Sequence, residues 1–421
     1  MNFGANHKVP EFIEKPSTQW VLYGEDNLYP QYLVNLFSRS GKHNAIITGK
    51  VNYICGQGLI TDEAMSNAGS WSGDQQRPTA EGATDITNVV AANQWLHRAN
   101  SDETWNELFR KIATDYELFN GFALQVMYNK LGKISEIRQL DFSRVRTNTT
   151  LSKFYYTPEW QKYSKPRDVK EFEAFTPPQR VGGAAHVSSQ VLYYREYRPG
   201  MGVYPLPDYM GCIVSIETDV EIANFHLNNT KNQFWGGKMI AFNNGIPTEE
   251  AQAEIERRLK LKFSSTDNGG RFVLNFSDDA AKAPVITDLA ATNLDKLFEQ
   301  LRQDVTQEIF TGHKITSPAL FGIQTPGALG QRQEMRDAHV LFTKNYVQPR
   351  QNILLLTINT LHEMMQPGNP VKIAINPLEQ VQLELDQNAL LQLMDREEAR
   401  RNLLKGYNLS ANPGEAVISK K

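Results

Sequence analysis

Residues 211–230 read GCIVSIETDVEIANFHLNNT, and two secondary structures compete for them. Ile213, Ile216, Val220, Ala223 and Leu227 recur at three- and four-residue steps, the spacing of one face of a long helix. Glu217, Asp219 and Glu221 alternate instead. On a strand those three carboxylates would share a face and could hold Mg²⁺ for phosphoryl transfer. On a helix Glu217 and Glu221 share a face and Asp219 turns away. The apolar spacing around them is helical, so the expectation is an amphipathic helix with an acidic, solvated side.

Downstream, Gly236-Gly237 breaks this helix. A strand at 238–242, a charged helix at 248–263 and a strand at 271–276 then form a small αβ module. Its helix carries Glu249, Glu250, Glu254 and Glu256 early and Arg257, Arg258, Lys260 and Lys262 late. That order complements the helix dipole, with Glu254→Arg258 and Glu256→Lys260 as favourable pairs. The basic end is also the candidate docking surface of the module. A second long helix follows at about 289–311, striped by Leu289, Leu294, Leu297, Phe298, Leu301, Val305 and Ile309. Residues 312–331 contain Gly312, Pro318, Gly322, Pro326, Gly327 and Gly330, too many breakers for a regular element. A helix over roughly 332–365 comes next, kinked at Pro349. A strand at 370–376 and a short charged helix at 388–405 close the chain.

Upstream, Tyr32, Leu33, Leu36 and Phe37 mark one helix, and Ile46, Ile47, Val51 and Ile54 mark a second that Gly56 and Gly58 stop. Residues 62–86 are poor in large apolar side chains and read as an exposed loop. Helices are expected again at 88–99 and 102–119. The period then changes to two: Phe122, Leu124, Val126 and Tyr128 alternate, with a turn at 129–132 and a partner strand near 134–140. Further strands are expected at 153–157, 169–175 and 190–197. The class is α+β.

The 421 residues carry 44 Lys and Arg against 47 Asp and Glu, a net charge of −3, so no global basic field advertises nucleic acid or an anionic membrane. Two cysteines, Cys55 and Cys212, exclude a disulfide scaffold or a four-cysteine zinc site. The first residues show no signal peptide, and no run is long and apolar enough to span a membrane. There is no G-x-x-x-x-G-K-[ST], G-x-G-x-x-G or G-x-S-x-G, and the eight histidines form no H-x-x-x-H pair. No enzyme, cofactor or metal is expected, and Asp278-Asp279 reads as a turn.

The order of elements resembles the tailed-bacteriophage portal protein, the ring at the unique capsid vertex. Local strings fit as well: Gly24-Glu25-Asp26-Asn27-Leu28-Tyr29-Pro30-Gln31-Tyr32-Leu33, Ile54-Cys55-Gly56-Gln57-Gly58-Leu59, Phe234-Trp235-Gly236-Gly237, and Thr316-Ser317-Pro318-Ala319-Leu320-Phe321-Gly322. The resemblance covers about residues 20–405. It implies a wing whose N-terminal portion spans 1–210, a stem helix (211–232), a clip (233–287), a second stem helix (288–311) and a tunnel loop (312–331). A kinked tunnel helix with a wing strand (332–380) and a short crown or tail (381–421) complete it.

The resemblance further implies a homo-oligomeric ring of twelve subunits around double-stranded DNA, in the virion and, during assembly, in the bacterial host cytoplasm. Its partners would be a separate terminase motor, the major capsid and scaffold proteins, and a head-completion adaptor docking on the clip; no membrane is involved. Twelve chains at −3 each carry −36. An acidic or neutral wall would let DNA slide, with Glu217 and Glu221 as wall charges. Lys314, Gln324, Thr325, Gln331 and Arg332 are the candidate loop contacts to DNA. The competing expectations are a metal-dependent nuclease or nucleotidyltransferase using Glu217, Asp219 and Glu221, and another head–tail adaptor.

Overall fold

The computed structural model describes residues 13–62, 86–160, 168–177, 189–232, 238–242, 247–263, 272–276, 285–288, 294–321 and 332–378. The chain divides into two units, Met1–Asn376 and Pro377–Lys421, and the first carries every element below. The expected loop at 62–86 and the expected helix at 388–405 lie outside the described residues, apart from the ends of the former.

Strands β1 (Glu14–Pro16) and β2 (Val21–Tyr23) pair antiparallel. The string Gly24–Tyr29 then turns the chain into helix α1 (Tyr29–Arg39), with Gly24 at φ +85° and Asn27 at φ +65°. A Cβ on Gly24 would sit 2.8 Å from the Cβ of Tyr29, so glycine is required by both conformation and space. The turn is locked by Arg146, which is fully buried. Its guanidinium donates to Asn27 Oδ1 and to the carbonyls of Asn27, Ser143 and Val145 at 2.6–2.9 Å, with Gln31 Oε1 at 3.3 Å. Every one of these acceptors is neutral. Burial accordingly pulls the guanidinium down to about 10.

Helix α2 (Gly41–Cys55) starts under a Ser40 cap that accepts from the His43 amide. Strand β3 (Leu59–Thr61), helix α3 (Ile86–Leu96) and helix α4 (Trp105–Phe119) follow. Helix α4 opens with a reciprocal capping box, Thr104 with Glu107, and closes on left-handed Asn120. Strands β4 (Gly121–Tyr128), β5 (Ile134–Leu140), β6 (Val145–Thr147), β7 (Lys153–Tyr156), β8 (Lys170–Ala174) and β9 (Ser189–Arg195) form one sheet, ordered β5-β4-β9-β8-β7-β6. Only the β8–β9 pair in it is parallel. Central β4 explains its own alternation. Phe122, Leu124 and Val126 enter a core cluster with α2 and α4, while Ala123 enters a second cluster with α1 on the other face.

Helix α5 (Ile213–Asn232) spans the contested stretch. The strand that a three-carboxylate metal site would need at 214–222 is absent, because the three- and four-residue apolar spacing governs: Ile213, Ile216 and Val220 are buried. The small module consists of β10 (Lys238–Phe242), α6 (Glu249–Phe263), β11 (Phe272–Phe276) and β12 (Val285–Asp288). Its sheet is ordered β11-β10-β12, β10 parallel to β11 and antiparallel to β12, and β12 is a strand beyond the two expected. Helix α7 (Leu294–Gly312) returns beside α5; Phe225 stacks on Phe298, and Ser215 donates to Glu308, so the two run antiparallel.

Residues 318–321, expected to be irregular, form one 3₁₀ turn, and 322–331 lie outside the described residues. The expected kinked helix is a continuous run of right-handed helical backbone, α8 (Arg332–Phe342) and α9 (Gln348–Met365), with a π turn over Thr343–Val347 between them. Pro349 sits in the first turn of α9. A proline ring clashes with the carbonyl four residues back, and the wider turn just ahead absorbs that clash. Strand β13 (Ile373–Ile375) pairs antiparallel with β3. Among the described residues no helix is long and apolar enough to cross a membrane.

Candidate functional site

The roots of α5 and α7 meet the sheet and the start of α9 at a cluster of charges. Asp208, just ahead of α5, is its outer centre. Its Oδ2 takes Arg350 at 2.6 Å and Lys314 at 3.0 Å, and its Oδ1 takes Arg198 and, at 3.1 Å, Asn120. Burial alone would raise the Asp208 carboxyl; Arg350 and the hydrogen bonds from Lys314 and Asn120 outweigh it and hold the group well below the carboxylate range. Arg350 Nε also lies 2.6 Å from Glu117 Oε1, a close ion pair without hydrogen-bond alignment. Glu117 Oε2 accepts from the Tyr346 hydroxyl at 2.6 Å and lies 3.8 Å from the Lys50 ammonium. Lys50 donates to the Tyr346 oxygen at 2.7 Å.

Lys50 and Glu117 are each about 1 % exposed, so this is a buried ion pair. Burial pulls the Lys50 ammonium down to about 8, with the Glu117 carboxylate opposing. Beyond Lys50 lies a histidine pair. His313 Nδ1 is 3.4 Å from the ammonium, and His313 Nε2 is 2.9 Å from His43 Nδ1. Burial, and then the charge of Lys50, drive His43 down to about 3 and push His313 well below its ordinary value, so both are neutral near pH 7. The network therefore crosses from α2 through α4 and α9 to the ends of α5 and α7.

Of the residues that the sequence nominated, Lys314 alone joins this network, paired with Asp208 and still more than half exposed. The trio on α5 diverges. Glu217 faces Tyr32, whose hydroxyl is pushed up by burial and then by that charge. Asp219 accepts from Ser40 Oγ at 2.9 Å and pairs with Lys42. Glu221 is exposed and accepts from Asn224 at 3.2 Å. Among the described residues no group of three or more His, Cys, Asp or Glu could hold a metal ion. On α6, Arg257 and Arg258 both clamp Glu254, at 2.8 Å each. Gln324, Thr325 and Gln331 lie outside the described residues, as do the side chains of Lys260, Lys262 and Arg332.

Sequence reasoning missed Lys50, Glu117, Asp208, Tyr346, Arg350 and the histidine pair. One signal was legible: Lys50 falls on the same helical face as Ile46, Ile47, Val51 and Ile54, where a lysine is costly unless it is paired. The 3₁₀ turn is positioned by close approach. An added Cβ on Gly49 of α2 would collide with the Phe321 ring, which also meets Tyr53 and Phe342. Gly49→Ala gains about 1 kcal/mol of helix propensity but displaces that ring. A net loss of about 1–2 kcal/mol is expected, measured as a lower unfolding midpoint; a rise would show that Phe321 moves freely.

No protein-family model and no curated protein matches the sequence. Solved structures do. A chain of the neck of the empty gene transfer agent particle, computed with C6 symmetry, is 15 % identical. It aligns over 90 % of this chain and 95 % of its own, with a TM-score of 0.53. This chain shares that fold. The native particle's neck, computed with C12 symmetry, gives 14 % identity, the same coverage and a TM-score of 0.51. An HK97-family phage portal protein from Corynebacterium diphtheriae is 10 % identical over 86 % of this chain and 97 % of its own, at a TM-score of 0.40.

Proposed function

We propose that this chain is a portal subunit: one of a closed ring of copies at a capsid vertex, through whose axis double-stranded DNA is packaged and ejected. The observation that carries it is the fold shared with gene-transfer-agent neck chains over nine-tenths of the sequence. The antiparallel pair α5 and α7 bearing a compact αβ module supports it, since such a pair can stand beside its copies in a head-to-tail ring. In this reading α5 and α7 are the stem, the module is the clip, and residues 312–331 face the axis. The wing is built on the six-stranded sheet. Glu217 and Glu221 supply wall charge, and Lys314, Gln324, Thr325, Gln331 and Arg332 meet phosphate. Arg257, Arg258, Lys260 and Lys262 present the clip to a terminase motor and later to a head-completion adaptor. The subunit hydrolyses nothing and needs no cofactor; capsid and scaffold proteins surround it in the virion.

A nuclease centred on Glu217, Asp219 and Glu221 loses its geometry, because the helix aims the three carboxylates at different partners. Negative-stain imaging with mass measurement at high protein concentration tests the proposal. Rings with a central hole wide enough for a duplex are expected. A compact monomer or dimer that cleaves DNA with a divalent cation would overturn it.

A further inference from the structure

The antiparallel pair α5 and α7 has two sides, and their charges differ. Ser215 meets Glu308, and Phe225 stacks on Phe298 ten residues further along each helix, so the two run side by side for about 15 Å. Successive residues of an α-helix stand about 100° apart, so residues 302 and 304 of α7 point about 200° apart, to opposite sides, at heights only about 3 Å different. Arg302 and Asp304 are both exposed, and neither has a partner of opposite charge among the described residues. Glu299 lies one turn from Arg302 on its side, and Glu308 lies one turn from Asp304 on the other.

The Asp304 side is also hollow. Asp304 and Glu308, with Gly211, Ser215 and Gly312, line a groove of about 680 Å³ between the two helices, and no cation lines it. Its floor is built by close approach, since an added Cβ on Gly312 would collide with the Cys212 sulfur. Val214 and Leu301 are exposed one turn from Gly211 and from Asp304, on the same helix faces. The groove thus offers room, two carboxylates and an apolar margin, and the cation that would fit it stands on the far side of the same helix.

We propose that this groove seats a neighbouring copy's Arg302, so that each chain presents its Arg302 side to the Asp304–Glu308 groove of the next. The occupant is a second copy because the two halves of the contact lie on one helix at nearly one height. Rotation about an axis running along the helices brings one side onto the other without a shift in height. A two-fold contact through the groove would instead press carboxylates on carboxylates. The head-to-tail contact uses both sides of every chain and closes a ring. It rests on the portal reading for the direction of the axis, and it names the surface through which the copies of that ring recognise one another.

Mass measurement with negative-stain imaging of the full chain, at fixed protein concentration and low salt, tests the contact. Arg302→Glu and Asp304→Arg are each expected to lower the fraction of chains in rings at least tenfold. Both positions are exposed, so unfolding midpoints should stay with the parent. The chain carrying both exchanges should return to within about threefold of the parent, because the facing charges are again opposite. A one-to-one mixture of the two single variants should also assemble, each supplying the charge that the other lacks. If the parent itself forms no rings, the portal reading and the contact fall together. If the parent forms rings and the single variants do so equally well, or if neither the double exchange nor the mixture restores assembly, the contact is overturned and the ring stands without it.

Discussion

Glu117→Ala is expected to cost about 3–5 kcal/mol, because it removes one partner of a buried ion pair and strands the other. One carboxylate serves three groups here: Arg350 and Tyr346 at 2.6 Å each, and Lys50 at 3.8 Å. Arg350 keeps Asp208 after the substitution. Lys50 keeps only a tyrosine oxygen and an imidazole nitrogen, with its ammonium buried. Its proton is the escape. With Glu117 present, the folded-state value is about 8, against 10.5 for the exposed group. Without the carboxylate it falls further, so the variant sheds the proton at a lower pH than the parent. Between those two values the Lys50 proton adds stability with rising pH in the variant and not in the parent, so the deficit narrows as pH 8 is approached. Urea midpoints at pH 6.5 and 8 measure both effects. Glu117→Gln, which can still accept from Tyr346, should fall between. A loss under about 1 kcal/mol at pH 6.5 would mean that water reaches the pair.

The elements that the sequence made legible are those whose apolar periodicity outlasts a turn or two. Alternation at 122–128 became β4, buried on both faces, and the spacing from Ile213 to Leu227 became α5. Pro349 was read as the site of a kink, and the distortion lies ahead of it. Proline dictates that the preceding turn must yield, not which turn geometry yields, and that choice depends on Tyr346 finding Glu117. Strand β12 spans four residues and pairs only because β10 offers an edge. The site was less legible still. A cation at 314 was visible, but its partner Asp208 is 106 positions earlier, and His43 meets His313 across 270 positions. Nothing local marks a histidine that will be paired and kept neutral, whereas Lys50 on an apolar face did carry a local mark.

That histidine pair makes the fold acid-sensitive well above the carboxylate range. His43 is held near pH 3, and His313 is likewise far below its unfolded value of 6.5. Below pH 6.5 the unfolded chain therefore binds protons that the folded chain refuses, and stability falls as pH falls. A histidine that stays neutral in the folded chain contributes up to about 1.4 kcal/mol per pH unit below its unfolded value. The proton has no good destination: the ammonium of Lys50 is already beside His313, Tyr209 packs against both rings, Phe37 closes on His43, and His43 Nε2 is buried without a hydrogen-bond partner among the described residues. Asp115 works in the opposite sense. Burial pushes its carboxyl up, so the folded chain takes that proton first and gains stability as pH falls toward 3.8. A difference experiment cancels it. His43→Gln keeps a hydrogen-bonding group against His313 and leaves Asp115 untouched. The slope of unfolding free energy between pH 6.5 and 4.5 should drop by about 1.4 kcal/mol per pH unit relative to the parent. Equal slopes would mean that His43 is protonated in the folded chain, which a buried imidazole facing Lys50 through His313 does not permit.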